Sequence, residues 1–190
     1  METNLVVGLG NPGKKYKNTP HNLGREVIES IKEKLSFPNF KQKKEILSAV
    51  SSKNFGEKKI ILAFPLTYMN DSGQSLIALK KFFKVKNQNI IIIHDDIDID
   101  WGKIRINKNR GAAGHHGIES IINNLKTKNF WRIRIGVKPK QKNIIPVEYV
   151  LTKFPKDKKK EQKQIIEQTA LLTIFYLRKG LIQTTEKVLE

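Results

Sequence analysis

Ile90-Ile91-Ile92-Ile93-His94-Asp95-Asp96 is the stretch that decides the architecture. A short aliphatic run bounded by polar turn formers reads as a buried strand. Two further runs follow the same plan. Asn4-Leu5-Val6-Val7-Gly8-Leu9-Gly10 delivers Asn11, and Lys59-Ile60-Ile61-Leu62-Ala63-Phe64-Pro65 leads into Thr67-Tyr68-Met69-Asn70. In an open α/β sheet, ligands sit beyond the carboxyl ends of such strands. Asn11, Asn70 and Asp95 are therefore expected to meet at one edge.

The segments between these runs read mostly as helices. Thr19 suits an N-cap with Pro20 at the first helical position, and Leu23, Val27, Ile28, Ile31 and Leu35 recur at helical spacing. A helix is expected from about Ser72 to Phe83, and another after the glycine loop Gly111, Gly114, Gly117, carried by Ile118, Ile121, Ile122 and Leu125. Ile46 to Val50 is a weaker strand pattern. Lys103-Ile104-Arg105-Ile106 and Arg132 to Val137 alternate, which sends Arg132 and Arg134 to the face opposite the isoleucines. Val147 to Leu151 reads as a short last strand, and Pro155 opens a long helix that stops near Gly180. The expectation is one α/β domain over residues 1–190, with a mixed, mostly parallel twisted sheet flanked by helices.

Composition narrows the function. With 38% hydrophobic and 28% charged residues, and no apolar run near the roughly 20 residues that span a bilayer, no membrane role is expected. The first residues run straight into a strand pattern, unlike a signal peptide. No cysteine is present, which removes disulfides, zinc thiolates and a cysteine nucleophile together. A cytoplasmic location is expected. The net charge is +18, and from Lys103 through Val147 the one carboxylate is Glu119. That one-sided stretch is the footprint expected for a polyanion, and nucleic acid is the partner it suggests.

Gly8-Leu9-Gly10-Asn11-Pro12-Gly13 satisfies G-x-G-x-x-G after a strand. A dinucleotide site needs a helix to open within the motif, and here Pro12 and a basic stretch intervene before Thr19. His21, in the first turn of that helix, is a candidate general base, and Asp95 is its natural orienter. Emerging from an all-isoleucine strand, Asp95 tolerates ionisation only with a partner. Two other readings stand beside this one. Asp95 caps a turn, or His94, Asp95, Asp96, Asp98 and Asp100 bind a metal, although strand alternation sends Asp95 away from Asp96, Asp98 and Asp100. No G-x-S-x-G elbow is present, and Ser72 and Ser75 read as helix-start residues. Water is the nucleophile that remains.

Together the motifs VVGLGNPGKKY (Val6 to Tyr16), His21-Asn22, PLTYMNDSG (Pro65 to Gly73), HDDID (His94 to Asp98) and GAAGHHG (Gly111 to Gly117) give the chain a close similarity to the bacterial peptidyl-tRNA hydrolases. The resemblance implies cleavage of the ester between a peptide and the 3′-terminal ribose of tRNA, by a monomer with no metal or organic cofactor. It implies His21 as base, Asp95 as its orienter, Asn70 positioning substrate or water, and Asn11 discriminating peptidyl- from aminoacyl-tRNA. It also implies Tyr16, Tyr68 and Arg134 as tRNA contacts; the arginines between Lys103 and Val137, Arg105 among them, are expected to hold phosphates. The chain departs from the family where His116 replaces a substrate-contacting Asn, where Pro20 replaces a common Arg, and where Asn107 replaces a phosphate-contacting Lys. A noncatalytic tRNA-binding module on the same scaffold and a nicotinamide-dependent oxidoreductase are the alternatives.

Overall fold

The computed structural model describes residues 2–139 and 144–189. Lys140 and Lys142 of the basic stretch lie outside the described residues. One sheet runs through the molecule. Its strands are β1 (Glu2–Gly8), β2 (Lys41–Lys43), β3 (Ser48–Phe55), β4 (Lys58–Pro65), β5 (Ile90–Asp100), β6 (Lys103–Lys108), β7 (Trp131–Lys138) and β8 (Thr184–Lys187), in the order β2-β3-β4-β1-β5-β7-β6-β8.

The centre is parallel, with β4, β1, β5 and β7 running in one direction. The flanks are antiparallel: β2 on β3, β3 on β4, β6 on β7 and β8 on β6. The sheet is thus mixed as expected but not mostly parallel: three of the seven strand pairings among the described residues are parallel, all at the centre, and four are antiparallel. The cause on one flank is the short turn between Phe55 and Lys58, with Gly56 at φ 58°, because such a turn can join only antiparallel neighbours.

Helices α1 (Leu23–Lys34) and α5 (Lys159–Lys179) cover one face, while α2 (Ser72–Phe83) and α3 (His116–Leu125) cover the other. Strand β5 shows why both faces need cover. Ile91 and Ile93 enter the core beneath α1 and α5, and Ile90 and Ile92 enter the core beneath α2 and α3. A strand buried on both faces reads as a continuous aliphatic run.

Two expectations change. Val147 to Leu151 is not a strand, because Pro146–Tyr149 forms a single helical turn, α4, with Pro146 at its first position. Thr19 and Pro20 open a 3-10 turn, Pro20–Asn22, and α1 proper starts at Leu23. Thr19 makes no side-chain cap; its hydroxyl donates to Tyr16 O at 2.8 Å.

Candidate active site

The start of α1 is pressed onto the ends of β1 and β5, and glycines permit it. A Cβ on Gly8 would overlap Gly24 O, and one on Gly24 would overlap Ile93 O. Leu9 N–H donates to Ile93 O at 3.0 Å and Arg25 N–H to Leu9 O at 2.9 Å. The first glycine of the dinucleotide-like motif therefore serves helix-to-strand packing, not a pyrophosphate. This contact carries the 3-10 turn, and with it His21, to the end of β5.

There His21 Nδ1 lies 3.0 Å from both carboxylate oxygens of Asp95. Both residues are buried. An ionised carboxylate only accepts, so His21 donates Nδ1–H and keeps a lone pair on Nε2. Asp95 also accepts from His115 Nε2 at 3.1 Å. His115, just ahead of α3, is fixed from its other side: its Nδ1 accepts from Gly117 N–H at 3.1 Å and Ile118 N–H at 3.3 Å. The two imidazoles on one carboxylate thus hold opposite tautomers. Burial pushes the Asp95 carboxyl up, but the electrostatic attraction of the N–H groups that His21 and His115 turn toward it, and the hydrogen bonds they make, outweigh burial and hold Asp95 well below the carboxylate range.

His94 backs this arrangement. Its Nδ1 donates to Asp95 O at 2.6 Å, and its ring meets His115 edge-on at 4.7 Å between centroids. Burial, reinforced by the neighbouring His115, keeps it neutral far below the usual histidine pKa of 6.5.

His21, Asp95 and His115 each bring one ligand atom within 4.8 Å of the others, so a metal must be weighed. His115 does not fit one. Its single lone pair on Nδ1 is taken by two backbone N–H groups, and its Nε2 carries the proton shared with Asp95. Two ligands remain, fewer than the three protein ligands of a typical catalytic zinc site. Alternation along β5 also separates the acidic residues as expected. Asp96 pairs with Arg134, Asp100 pairs with Lys103 at 2.8 Å, and Asp98 is exposed.

Asn11 is buried and locked. Its N–H donates to Asn22 Oδ1 at 2.9 Å, its carbonyl accepts from Asn22 Nδ2 at 3.1 Å, and its Oδ1 accepts from Met69 N–H at 2.8 Å. The amide orientation follows: Nδ2 is the donor left without a partner among the described residues. The ends of β1 and β4 therefore do meet, as the sequence suggested. Asn70, one residue past Met69, is exposed, and its side chain makes no hydrogen bond among the described residues. Tyr16 and Tyr68 stand edge-to-face at 6.4 Å, with Tyr68 56% exposed.

The basic residues behave less uniformly. Arg134 Nε and Nη2 both reach Asp96 Oδ2 at 2.7 Å, so this guanidinium is already steered by an acid. Arg132, expected to join it at the surface, is buried. Its Nη1 donates to Gly111 O at 2.8 Å, and burial first, then Arg134, lowers its pKa to about 10. Asn107, its cross-strand partner, is buried as well. Arg105, opposite Arg134 across β6 and β7, is exposed. His116 is half-exposed in the first turn of α3, 3.8 Å from Glu119.

A cleft of about 270 Å³ opens beside the pair, lined by His21, Asp95, His115 and His116 together with Pro146 and Val147 of α4 and Val150 just past it. His21 N–H donates to Val150 O at 3.1 Å, which ties the wall to the imidazole. Sequence reasoning missed His115. Side-chain capping rules favour Ser, Thr, Asp and Asn, so a histidine capping α3 carries no signal in them.

The family model described as peptidyl-tRNA hydrolase matches residues 5–190. A peptidyl-tRNA hydrolase of Clostridium botulinum (strain Eklund 17B / Type B) is 48% identical over 164 residues, covering 86% of this chain and 83% of its own. Another, from the Hall strain, is 40% identical over 183 residues, covering 96% and 95%. The crystal structure of peptidyl-tRNA hydrolase from Acinetobacter baumannii superposes with a TM-score of 0.79 at 31% identity, covering 93% of this chain and 91% of that one. A match spanning nearly the whole chain, on a fold that superposes, settles the classification: the chain belongs to the peptidyl-tRNA hydrolase family.

Proposed function

We propose that the chain hydrolyses the ester between a peptide and the 3′-terminal ribose of tRNA, with His21 as general base under the direction of Asp95. Family membership supports the substrate class. The observation that carries the mechanism is His21 Nδ1 at 3.0 Å from both oxygens of Asp95, which leaves Nε2 as the lone pair for water.

His21 Nε2 takes a proton as water attacks the acyl carbon, and the resulting imidazolium is stabilised by Asp95. The acyl–oxygen bond to the ribose then breaks, and the imidazolium returns its proton to the ribose oxygen. The peptide acid, which gives its remaining proton to solvent and becomes a carboxylate, and a free tRNA end leave. General-base action of this kind is typically worth about 10²–10⁴-fold. Asn11 Nδ2, freed by the engagement of Oδ1, and the Asn70 amide are the donors for the developing oxyanion or the peptide carbonyl.

The tRNA side is read from chemistry. The exposed ring of Tyr68, braced by Tyr16, offers a stacking platform for a terminal base. Arg105 and Arg134 take acceptor-stem phosphate, positioning the duplex without reading its sequence. His116 contacts substrate with a single nitrogen where an amide would use two groups. The whole chain, residues 1–190, works as one domain and as a monomer. A tRNA substrate puts the reaction in the cytoplasm; none of the described helices is long and apolar enough to cross a membrane.

The test offers N-acetyl-aminoacyl-tRNA and its unblocked counterpart in the presence of EDTA. The blocked ester is expected to be cleaved, the unblocked one to persist, and chelation to change neither. Equal loss of both esters, or activity abolished by EDTA, contradicts the reading.

A further inference from the structure

We infer that the cleft beside His21 receives the side chain of the residue whose carboxyl forms the ester, and that it favours an apolar side chain over an acidic one. The inference rests on His21 being the base. The acyl carbon must sit within a few ångströms of a water held by His21 Nε2. The first atoms to enter the cleft beyond it are then the α-carbon of that residue and its side chain.

The cleft is built to receive such a group. Besides its polar residues the lining carries Ile97, Ala113, Pro146, Val147 and Val150, all apolar. Val147, on that lining, is 53% exposed, so the described residues leave part of this apolar surface uncovered. The hydrogen bond from His21 N–H to Val150 O fixes the spacing between wall and base. At about 270 Å³ the space is smaller than the roughly 300–1,000 Å³ of a site for a drug-sized ligand, which suits one residue and little more of a peptide.

Charge sets the second half of the preference. Two of the carboxylates on the lining are already partnered, Asp95 by His21 and His115, Asp96 by Arg134. Asp98, also on the lining, is exposed. An acidic side chain turned to the apolar part of the lining would lose water, gain no hydrogen-bond donor there and face a like charge, while His116, also on the lining, already has Glu119 3.8 Å away.

One tRNA carrying N-acetyl-leucine, N-acetyl-alanine or N-acetyl-aspartate tests this with the full chain. The expected order of kcat/KM is leucine, alanine, aspartate, with at least about tenfold between the extremes. Val147→Ser, at an exposed position where folding is not at risk, is expected to lower the leucine-to-alanine ratio by at least about threefold. Three equal values with all esters cleaved would overturn this inference alone, as would an unchanged ratio in the variant. Failure to cleave any of the three would overturn the assignment of activity as well.

Discussion

Asp95 and Asp96 are consecutive residues on one strand, and they do opposite work. Asp95 faces the α1 side and takes two imidazoles; Asp96 faces the α3 side and takes the Arg134 guanidinium. Alternation puts two identical carboxylates into two environments at the price of one residue of chain. The partner decides the role. A histidine beside a carboxylate gains a fixed tautomer and a stabilised cation, which is chemistry. An arginine beside a carboxylate stays charged throughout and is merely aimed, which is binding.

The comparison breaks most sharply at His21. His21→Ala is expected to lower kcat by about 10³-fold or more while tRNA affinity stays within a few-fold, measured by single-turnover hydrolysis and by binding to deacylated tRNA. Asp95→Asn comes next, at about 10²–10³-fold in kcat. An amide cannot accept from both imidazoles as the carboxylate does. His115 is held by two backbone N–H groups, so His21 is the ring that yields. On the other face, Arg134→Ala is expected to raise KM about tenfold, leave kcat within about threefold, and reduce the salt slope of tRNA binding by about one. A large kcat loss there, or a KM effect alone at Asp95, would erase the distinction between the two faces.

The smallest effect is on stability, and it concerns the histidine behind the pair. His94 is held neutral in the folded protein, whereas the unfolded chain takes up a proton below about pH 6.5. Stability should therefore fall as pH drops below 6.5, by up to about 1.4 kcal/mol per pH unit until the folded protein also protonates. Urea unfolding between pH 7.5 and 5 measures this. His94→Asn should flatten the slope, and an unchanged slope would put the titration elsewhere.

Much of this arrangement was legible in the sequence because it depends on short-range rules. An aliphatic run followed by a polar residue marks a strand end, and a Thr-Pro-His segment marks a helix approach. Those two rules brought His21 and Asp95 together, and alternation separated Asp95 from Asp96. What was not legible depends on what covers a face. Alternation put Arg132 beside Arg134, yet the Gly111 loop caps Arg132 and leaves Arg134 to Asp96. Val147 to Leu151 has a strand's composition, while the signal for α4 was Pro146 at its first position. The edge strand β8 (Thr184–Lys187) is polar and short, and carries no apolar pattern to find.

The most direct measurement is the ¹⁵N chemical shifts of the imidazoles in the resting protein at neutral pH, assigned with His21→Ala and His115→Ala. The account predicts neutral rings of opposite tautomer, with the proton on Nδ1 in His21 and on Nε2 in His115. Finding His21 protonated on Nε2 alone, with Nδ1 bare toward Asp95, would contradict it.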